Sequence, residues 1–399
     1  MIKITKLVDC CGCASCVQVC PKKCISFSED KQGFRYPLVN ESICIDCGSC
    51  ERVCPMLIDR VKTTPIIVYA AKNRNELIRR ASSSGGIFSF LAERVLSEGG
   101  VVFGAKFDDN WEVVHDYTES IDGLASFRGS KYLQSRIEDN YQKVKFFLQN
   151  GRKVLFSGTP CQIAGLKSFL QRDDGNLITI DFVCHGVPSP KVWRKYLEEK
   201  VIKNDRNLLS RFFSSNSKSL VRSINFRDKS SGWKNYSLKY CFSKTSDKRD
   251  KNTVFNSVIF SQDAFMKAFL KNIILRPSCF GCRFKEGKSL SDITLGDFWG
   301  IDNLKPDFDD DLGVSLVMIN SIKGFSCFPP NELFYITMSY DEAKQRNSSI
   351  YKSPKIHSMR NYFFWKFLYS RNIHKLIDRC IQYKPDLVYR VLRKVKLIQ

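Results

Sequence analysis

"CCGCASCVQVCP", residues 10–21, places five cysteines in twelve positions. Four of them, Cys10, Cys13, Cys16 and Cys20, fit C-x2-C-x2-C-x3-C, and Pro21 closes the run. "CIDCGSCERVCP", residues 44–55, repeats the spacing with Cys44, Cys47, Cys50 and Cys54 and ends on Pro55. Such a run holds [4Fe–4S] cubanes: the tight C-x2-C-x2-C loop wraps three corners of one cube, and the fourth thiolate reaches the other cube. The spacing assigns Cys10, Cys13, Cys16 and Cys54 to one cluster and Cys20, Cys44, Cys47 and Cys50 to a second. The fourth thiolate of each run is expected at the start of a short helix. Zinc ribbons and fingers use ligand pairs at wider spacing, not two runs of four each followed by Pro.

Between the runs, "CISFSEDKQGFRYPLVN" (24–40) reads as a hairpin, two short alternating strands about a Lys-Gln-Gly turn. Cys11 and Cys24 are left over and read as small buried filler. The eight cysteines and both prolines together resemble a bacterial-type two-[4Fe–4S] ferredoxin domain over residues 1–60. That resemblance implies an α+β module that conducts electrons one at a time.

The chain is 399 residues long, enough for two or three domains that bury cores of their own. No run of about 18 apolar residues is present to span a membrane. "MIKITKLVDC" has no apolar h-region and no cleavage site, so a cytoplasmic location is expected. Reducing conditions there disfavour disulfides, and the 17 cysteines need another use. The net charge of +22 is uneven. Residues 1–54 hold seven Lys/Arg against six Asp/Glu, whereas 359–399 hold ten against two. The surplus attracts anions without choosing among them. No recognition motif accompanies it, so nucleic acid is not an expected partner.

After Pro55 strands and helices alternate. Strands are read at 66–72, 101–108, 111–119, 152–158 and 177–184, and helices at 82–100, 136–149, 160–170 and 189–204. The helix at 82–100 carries a Ser cap and a Gly stop. The order predicts a larger α/β domain, residues 61–330, with a mixed, partly parallel sheet. Residues 205–253 read as a strand pair with a loop around "SKTSDKRDKN". Residues 331–399 read as a basic helical C-terminal region, in which a domain-packing helix and an interfacial membrane helix are both open.

"FSGTPCQIAG" ends a strand, turns on Gly and starts a helix near Cys161; "DFVCHG" puts Cys184 at the end of the next strand. If these strands are parallel neighbours, both cysteines share the sheet edge where ligands bind in such folds. "RPSCFGCRFK" adds Cys279 and Cys282. Two plus two makes a ligand set for a third [4Fe–4S] cluster. The competing readings are buried filler, a zinc pair, or a catalytic thiolate at Cys161.

"SSSGGIFSFLAERVL", "FRGSKYLQS", "FSGTPCQIAGLKSFL", "DFVCHGVPSP", "FRDKSSGW", "RPSCFGCRFK" and "SDITLGDFWGID" follow one another in order. Together they resemble the coenzyme F420 hydrogenase/dehydrogenase beta-subunit family, over about residues 66–325. The resemblance implies a third [4Fe–4S] cluster and FAD in this region. It also implies an iron–sulfur flavoprotein oxidoreductase acting on an unidentified small molecule. The alternative is a non-catalytic electron-transfer subunit serving a partner enzyme. A redox partner protein or soluble electron carrier follows from either.

A pyrophosphate needs backbone N–H groups, a helix N-terminus or a cation. Ser84, Gly85 and Gly86 before a helix supply the first two; Arg128 and Lys131 supply cations; the Gly158–Thr159 turn is a third place. Each is also compatible with an ordinary cap or turn, and no G-x-G-x-x-G follows a strand. Arg227, Lys229 and Trp233 combine cations with an aromatic face, and Asp292 and Asp297 flank a short strand. His185 and Lys229 are the candidates for proton transfer. The basic C-terminus is a candidate for peripheral membrane contact.

Overall fold

The computed structural model describes residues 1–204, 221–243, 253–384 and 386–394. The segment that joins the second and third strands of the small sheet described below, and with it the expected "SKTSDKRDKN" loop, lies outside them. So does the end of the basic tail.

In the N-terminal module β1 (Ile25–Glu29) and β2 (Arg35–Val39) pair antiparallel, Ile25 opposite Val39. Gly33 sits at the turn with φ +91°, and a Cβ there would come within 2.2 Å of the Lys191 Cβ. Each cysteine run carries one short helix, Ser15–Val19 and Ser49–Arg52, entered through a left-handed residue, Ala14 or Gly48, both at φ 69°. These helices start before the third cysteine of each run, not at the fourth. Cys20 is the C-cap of its helix and Cys54 follows the C-cap Val53. The left-handed residue reverses the loop so that the third cysteine turns inward on the first helical turn.

The main sheet takes β3 (Ile67–Lys72), β4 (Val101–Phe107), β5 (Val113–Thr118), β6 (Val154–Gly158) and β7 (Leu177–Phe182). A separate antiparallel sheet holds β8 (Val221–Asp228), β9 (Ser237–Ser243) and β10 (Thr253–Ile259), one strand more than the expected pair. The chain then returns with β11 (Ile293–Asp297), β12 (Ser315–Ile319) and β13 (Phe334–Met338). The main sheet runs β13-β3-β12-β11-β7-β6-β4-β5, with β11, β7, β6 and β4 parallel. It is mixed and partly parallel, as the alternating pattern predicts. β6 is buried at all five positions, which suits a central parallel strand covered on both faces. Each fully buried Phe, such as Phe103 and Phe156, contributes about 1.5–3 kcal/mol by leaving water.

Two expectations need correction. The helix expected from residue 82 spans Ile87–Ser97 and is capped by Gly86 at φ 82°, not by serine. The serines are engaged elsewhere: Ser82 Oγ donates to Ile78 O, Ser84 Oγ donates to Val314 O, and Ser83 Oγ accepts from Ser130 N. Residues 331–399 are not helical throughout, because β13 pairs with β3 inside the main sheet. The helices Arg360–Phe367 and Ile373–Ile381 send Tyr362, Phe363, Ile373 and Ile377 into the largest core, beside Trp193, Phe265 and hairpin residue Phe34. They pack the domain. Among the described residues no helix is long and apolar enough to cross a membrane.

Candidate metal centres and redox site

The parallel strands β3, β11, β7, β6 and β4 end along one edge of the sheet, and the sulfur-rich module is seated there. Gly165, on the helix Pro160–Leu170, makes the seat possible: a Cβ would meet Ser15 Oγ at 2.8 Å and Cys13 Cβ at 2.9 Å. Ser15 Oγ donates to Gly165 O at 2.9 Å.

Cys20, Cys44, Cys47 and Cys50 line one cavity near the N-terminus. Ile2 N donates to Cys50 Sγ at 3.3 Å, and Cys47, which is exposed, bonds to Ser49 Oγ. Cys24 lines the same cavity, with its sulfur 3.4 Å from Cys20 Sγ. Cys10, Cys13, Cys16 and Cys54 form the deeper group. Burial pushes the Cys10 and Cys16 thiols up and Cys54 up to about 12, and the neighbouring thiolates of the same group push further. Metal binding must displace those protons. Each group therefore takes its fourth sulfur from the other run. No three His, Cys, Asp or Glu side chains among the described residues converge closely enough for a single ion.

A third cavity is lined by Cys161, Cys184, Cys279 and Cys282 together. β6 and β7 are parallel neighbours, which brings Cys161 and Cys184 to one edge. Thr159 and Gln162 form a capping box that fixes the start of the Cys161 helix, and Thr159 Oγ1 lies 3.2 Å from Cys161 Sγ. Val187 N donates to Cys279 Sγ at 3.5 Å, and Cys282 N to Ser353 Oγ at 3.0 Å. Burial raises the Cys184 and Cys282 thiols and takes Cys279 up to about 12, whereas a hydrogen bond from Cys11 lowers Cys161. Two buried cations, Arg276 and Lys285, line the cavity, with Lys285 Nζ donating to Cys184 O at 2.5 Å. Four sulfurs with cations around them fit an anionic cubane. Cys11 is buried, as expected. It packs with Cys13, Met56, Cys161 and Cys282, at the seam between the deeper group and this cavity.

His185 also lines this cavity; its Nε2 is 2.7 Å from Asn272 Oδ1 and its ring stands edge-on to Phe269, so it is anchored beside the sulfurs. Gly158 and Thr159 belong here as well. Thr159 is spent on the capping box, and the neighbours of Gly158 are Gln162 and His115.

The other cofactor candidates gather further along the edge. Ser130 N donates to Ser83 Oγ at 2.6 Å, joining the 82–86 turn to the 128–131 turn. Most of the named side chains are committed internally. Arg128 bonds Ser89 Oγ and Glu93 Oε1. Lys131 Nζ, buried until it titrates at about 7, donates to the Phe127, Arg128 and Gly129 carbonyls. Lys229 Nζ donates to the Arg79, Ser84 and Leu312 carbonyls, and burial takes it down to about 7. Gly85 N donates to Ser315 Oγ, and a Cβ on Gly85 would strike Ala71 O at 2.4 Å. Arg227 differs. It is 3% exposed, pairs with Asp297 at 3.2 Å and lies 3.9 Å over the Tyr236 ring, yet its buried Nε has no partner. Trp233 Nε1 donates to Asp297 Oδ1, and Trp233 stacks on Trp299 at 4.9 Å. Asp292 and Asp297 do flank the short strand β11, at opposite ends; Asp292 is held by Thr179 and Ser321 at 2.6 and 2.7 Å.

Sequence reasoning missed Arg276, Lys285 and the placement of Cys11. The available signal was the bracket around the C-x2-C pair, Arg276 three residues before Cys279 and Lys285 three after Cys282.

The model of the coenzyme F420 hydrogenase/dehydrogenase beta subunit N-terminus matches residues 68–139, and that of its C terminus matches residues 151–330. A 4Fe-4S dicluster domain model matches residues 9–58. No curated protein matches the chain. A chain of the F420-reducing [NiFe] hydrogenase complex from Methanosarcina barkeri, studied by xenon derivatization, aligns over 79% of this chain and 97% of its own length, with 17% identity and a TM-score of 0.45.

Proposed function

Because this chain belongs to the coenzyme F420 hydrogenase/dehydrogenase beta-subunit family and opens with a 4Fe-4S dicluster domain, we propose that it is an iron–sulfur electron-transfer subunit of an oxidoreductase. Its path runs between the exposed group Cys20/Cys44/Cys47/Cys50, the deeper group Cys10/Cys13/Cys16/Cys54, and a third site at Cys161/Cys184/Cys279/Cys282. The observation that carries this reading is the shared seam: Cys11 and Met56 touch the deeper group and line the third cavity. When bound, each cubane accepts or returns one electron, and a flavin would exchange such electrons for a hydride.

The protein's own part is placement. Cys47 at the surface offers an electron carrier or partner protein an entry, with the exposed Ile43 and Ile45 beside it. Buried Phe284 and Met56 pack against Cys161 and Cys282 and shield part of the third site, whose four cysteines are half-buried. Direction and final substrate are set by the partner.

A second reading adds FAD at Arg227, Trp233 and the 82–86 turn. The unpartnered Arg227 Nε and the stacked Trp233 and Trp299 favour it. The internal commitments of Ser84, Gly85, Arg128, Lys131 and Lys229 favour the carrier reading. Asp297 and Cys184 follow adjacent strands, since Val183 N donates to Leu295 O at 2.8 Å. A flavin there would neighbour the third site. Protein purified without oxygen and denatured by acid decides: about twelve iron per chain is expected for three cubanes and about eight for two. Released flavin would promote the second reading, and its absence at full iron would leave the carrier.

A further inference from the structure

Arg276 is 1% exposed, and among the described residues no carboxylate pairs with it. Its guanidinium donates to Cys10 O at 2.9 Å, Arg35 O at 3.0 Å and Gln134 Oε1 at 2.9 Å, and lies 3.7 Å from Cys10 Sγ. Its carbon lies 4.5 Å from the Tyr36 ring centroid. The same residue lines the third cavity, and its backbone N is held by Val187 O. A cation removed from water needs an opposite charge nearby or it destabilises the fold. The neighbours offering negative charge are sulfurs: Cys10 on one side and the third cavity on the other.

We infer that Arg276 is the counter-charge of the relay, a fixed buried cation that raises the reduction potentials of the Cys10/Cys13/Cys16/Cys54 centre and of the adjoining Cys161/Cys184/Cys279/Cys282 centre. A four-thiolate cubane is an anion and gains one negative charge on reduction, so a nearby positive charge favours the reduced form. Net charge and hydrogen bonds to the sulfurs are among the levers that set such potentials. Standing between two sites, one guanidinium shifts both the same way, so the step between them changes less than either potential. The step is a single electron leaving one centre and entering the next, with no bond made and no proton moved. The guanidinium's contacts are with Cys10, Arg35, Gln134 and Tyr36 and not with the Cys47 group, so the smallest shift is expected there. The half of this inference that concerns the third centre rests on the proposed function; the Cys10 half does not.

The test is a dithionite titration of the oxygen-free holoprotein followed by low-temperature EPR, with iron counted in every sample. Arg276→Gln with full iron is expected to weaken one-electron reduction of the buried centres at least tenfold, about 59 mV, and to move the exposed centre least. Full iron with unchanged potentials overturns the inference. Should the Gln variant lose iron, Arg276→Lys decides. Retained iron with buried-centre potentials near wild type supports the charge. Iron lost again, or potentials lowered tenfold, shows that the hydrogen-bond fork and not the charge matters, and overturns it. Wild-type protein with about eight iron would sink the third-site reading while the Cys10 effect stays measurable.

Discussion

The sulfur group at Cys20, Cys44, Cys47 and Cys50 and the one at Cys161, Cys184, Cys279 and Cys282 have the same donors and opposite settings. The first lies at the rim, with Cys47 exposed; the second lies at the sheet edge with all four cysteines half-buried, and burial raises its Cys184 and Cys279 thiols. Three donors of the rim group come from seven consecutive residues, so a short loop fixes them whatever surrounds it. The sheet-edge group draws on two strand ends and a distant C-x2-C pair, so only the packed domain holds it. A local loop can carry its donors to the surface; order borrowed from tertiary packing lasts only as long as the packed domain.

The largest effects should separate the two groups outright. Cys279→Ala is expected to remove about four iron per chain and leave both ferredoxin-type EPR signals, whereas Cys47→Ala should remove about four iron and the rim signal alone. An unchanged iron count in Cys279→Ala would break the comparison.

Acid should also act unequally. His115 is buried, stacks on Phe156 and bonds Ser157 O at 2.9 Å, next to the strand end that leads to Cys161; burial takes it down to about 4. A histidine that titrates lower folded than unfolded binds fewer protons in the native state. Its contribution is therefore present above pH 6.5 and is lost as pH falls to about 4, about 3 kcal/mol at most. Thermal unfolding followed across that range should be flatter in His115→Phe. An equal slope in both proteins would rule out His115 as the acid-sensitive group under the sheet-edge site.

The smallest expected effect concerns the seat. Gly165→Val pushes a side chain against Ser15 and Cys13, costing about 1–3 kcal/mol. Urea unfolding should move accordingly, and electron exchange between the rim and sheet-edge groups should slow while iron stays full. Wild-type stability and exchange in this variant would mean that the contact is slack.

What was legible followed the same division. The two C-x2-C-x2-C-x3-C-P runs, the hairpin and the β6–helix–β7 unit could be read because each is a local pattern. The parallel pairing that joins Cys161 to Cys184 could be anticipated from connection rules alone. The place of Arg276 beside Cys279 was legible, but its tie to Cys10 was not, since it spans 266 positions and lies in no periodicity. The serine cap before residue 87 was misread for a related reason: acceptors on Ile78 and Val314 and a donor on Ser130 outcompeted the helix end. Lys131 and Lys229 look like phosphate cations in sequence, but a folded chain can spend an ammonium on its own carbonyls.

The sulfur-rich module is clamped at several points on its hairpin and first helix. Arg194 bridges Glu29 and Glu112 at 2.6 and 2.5 Å, Arg360 grips the Gln32 amide oxygen at 2.6 Å, and Gln18 Oε1 receives Tyr141 N at 2.9 Å. A relay on a tether could ferry charge by swinging. One bolted down like this works as fixed wiring, so thickening the solvent should leave internal conduction untouched and slow only the visitor that docks at the rim.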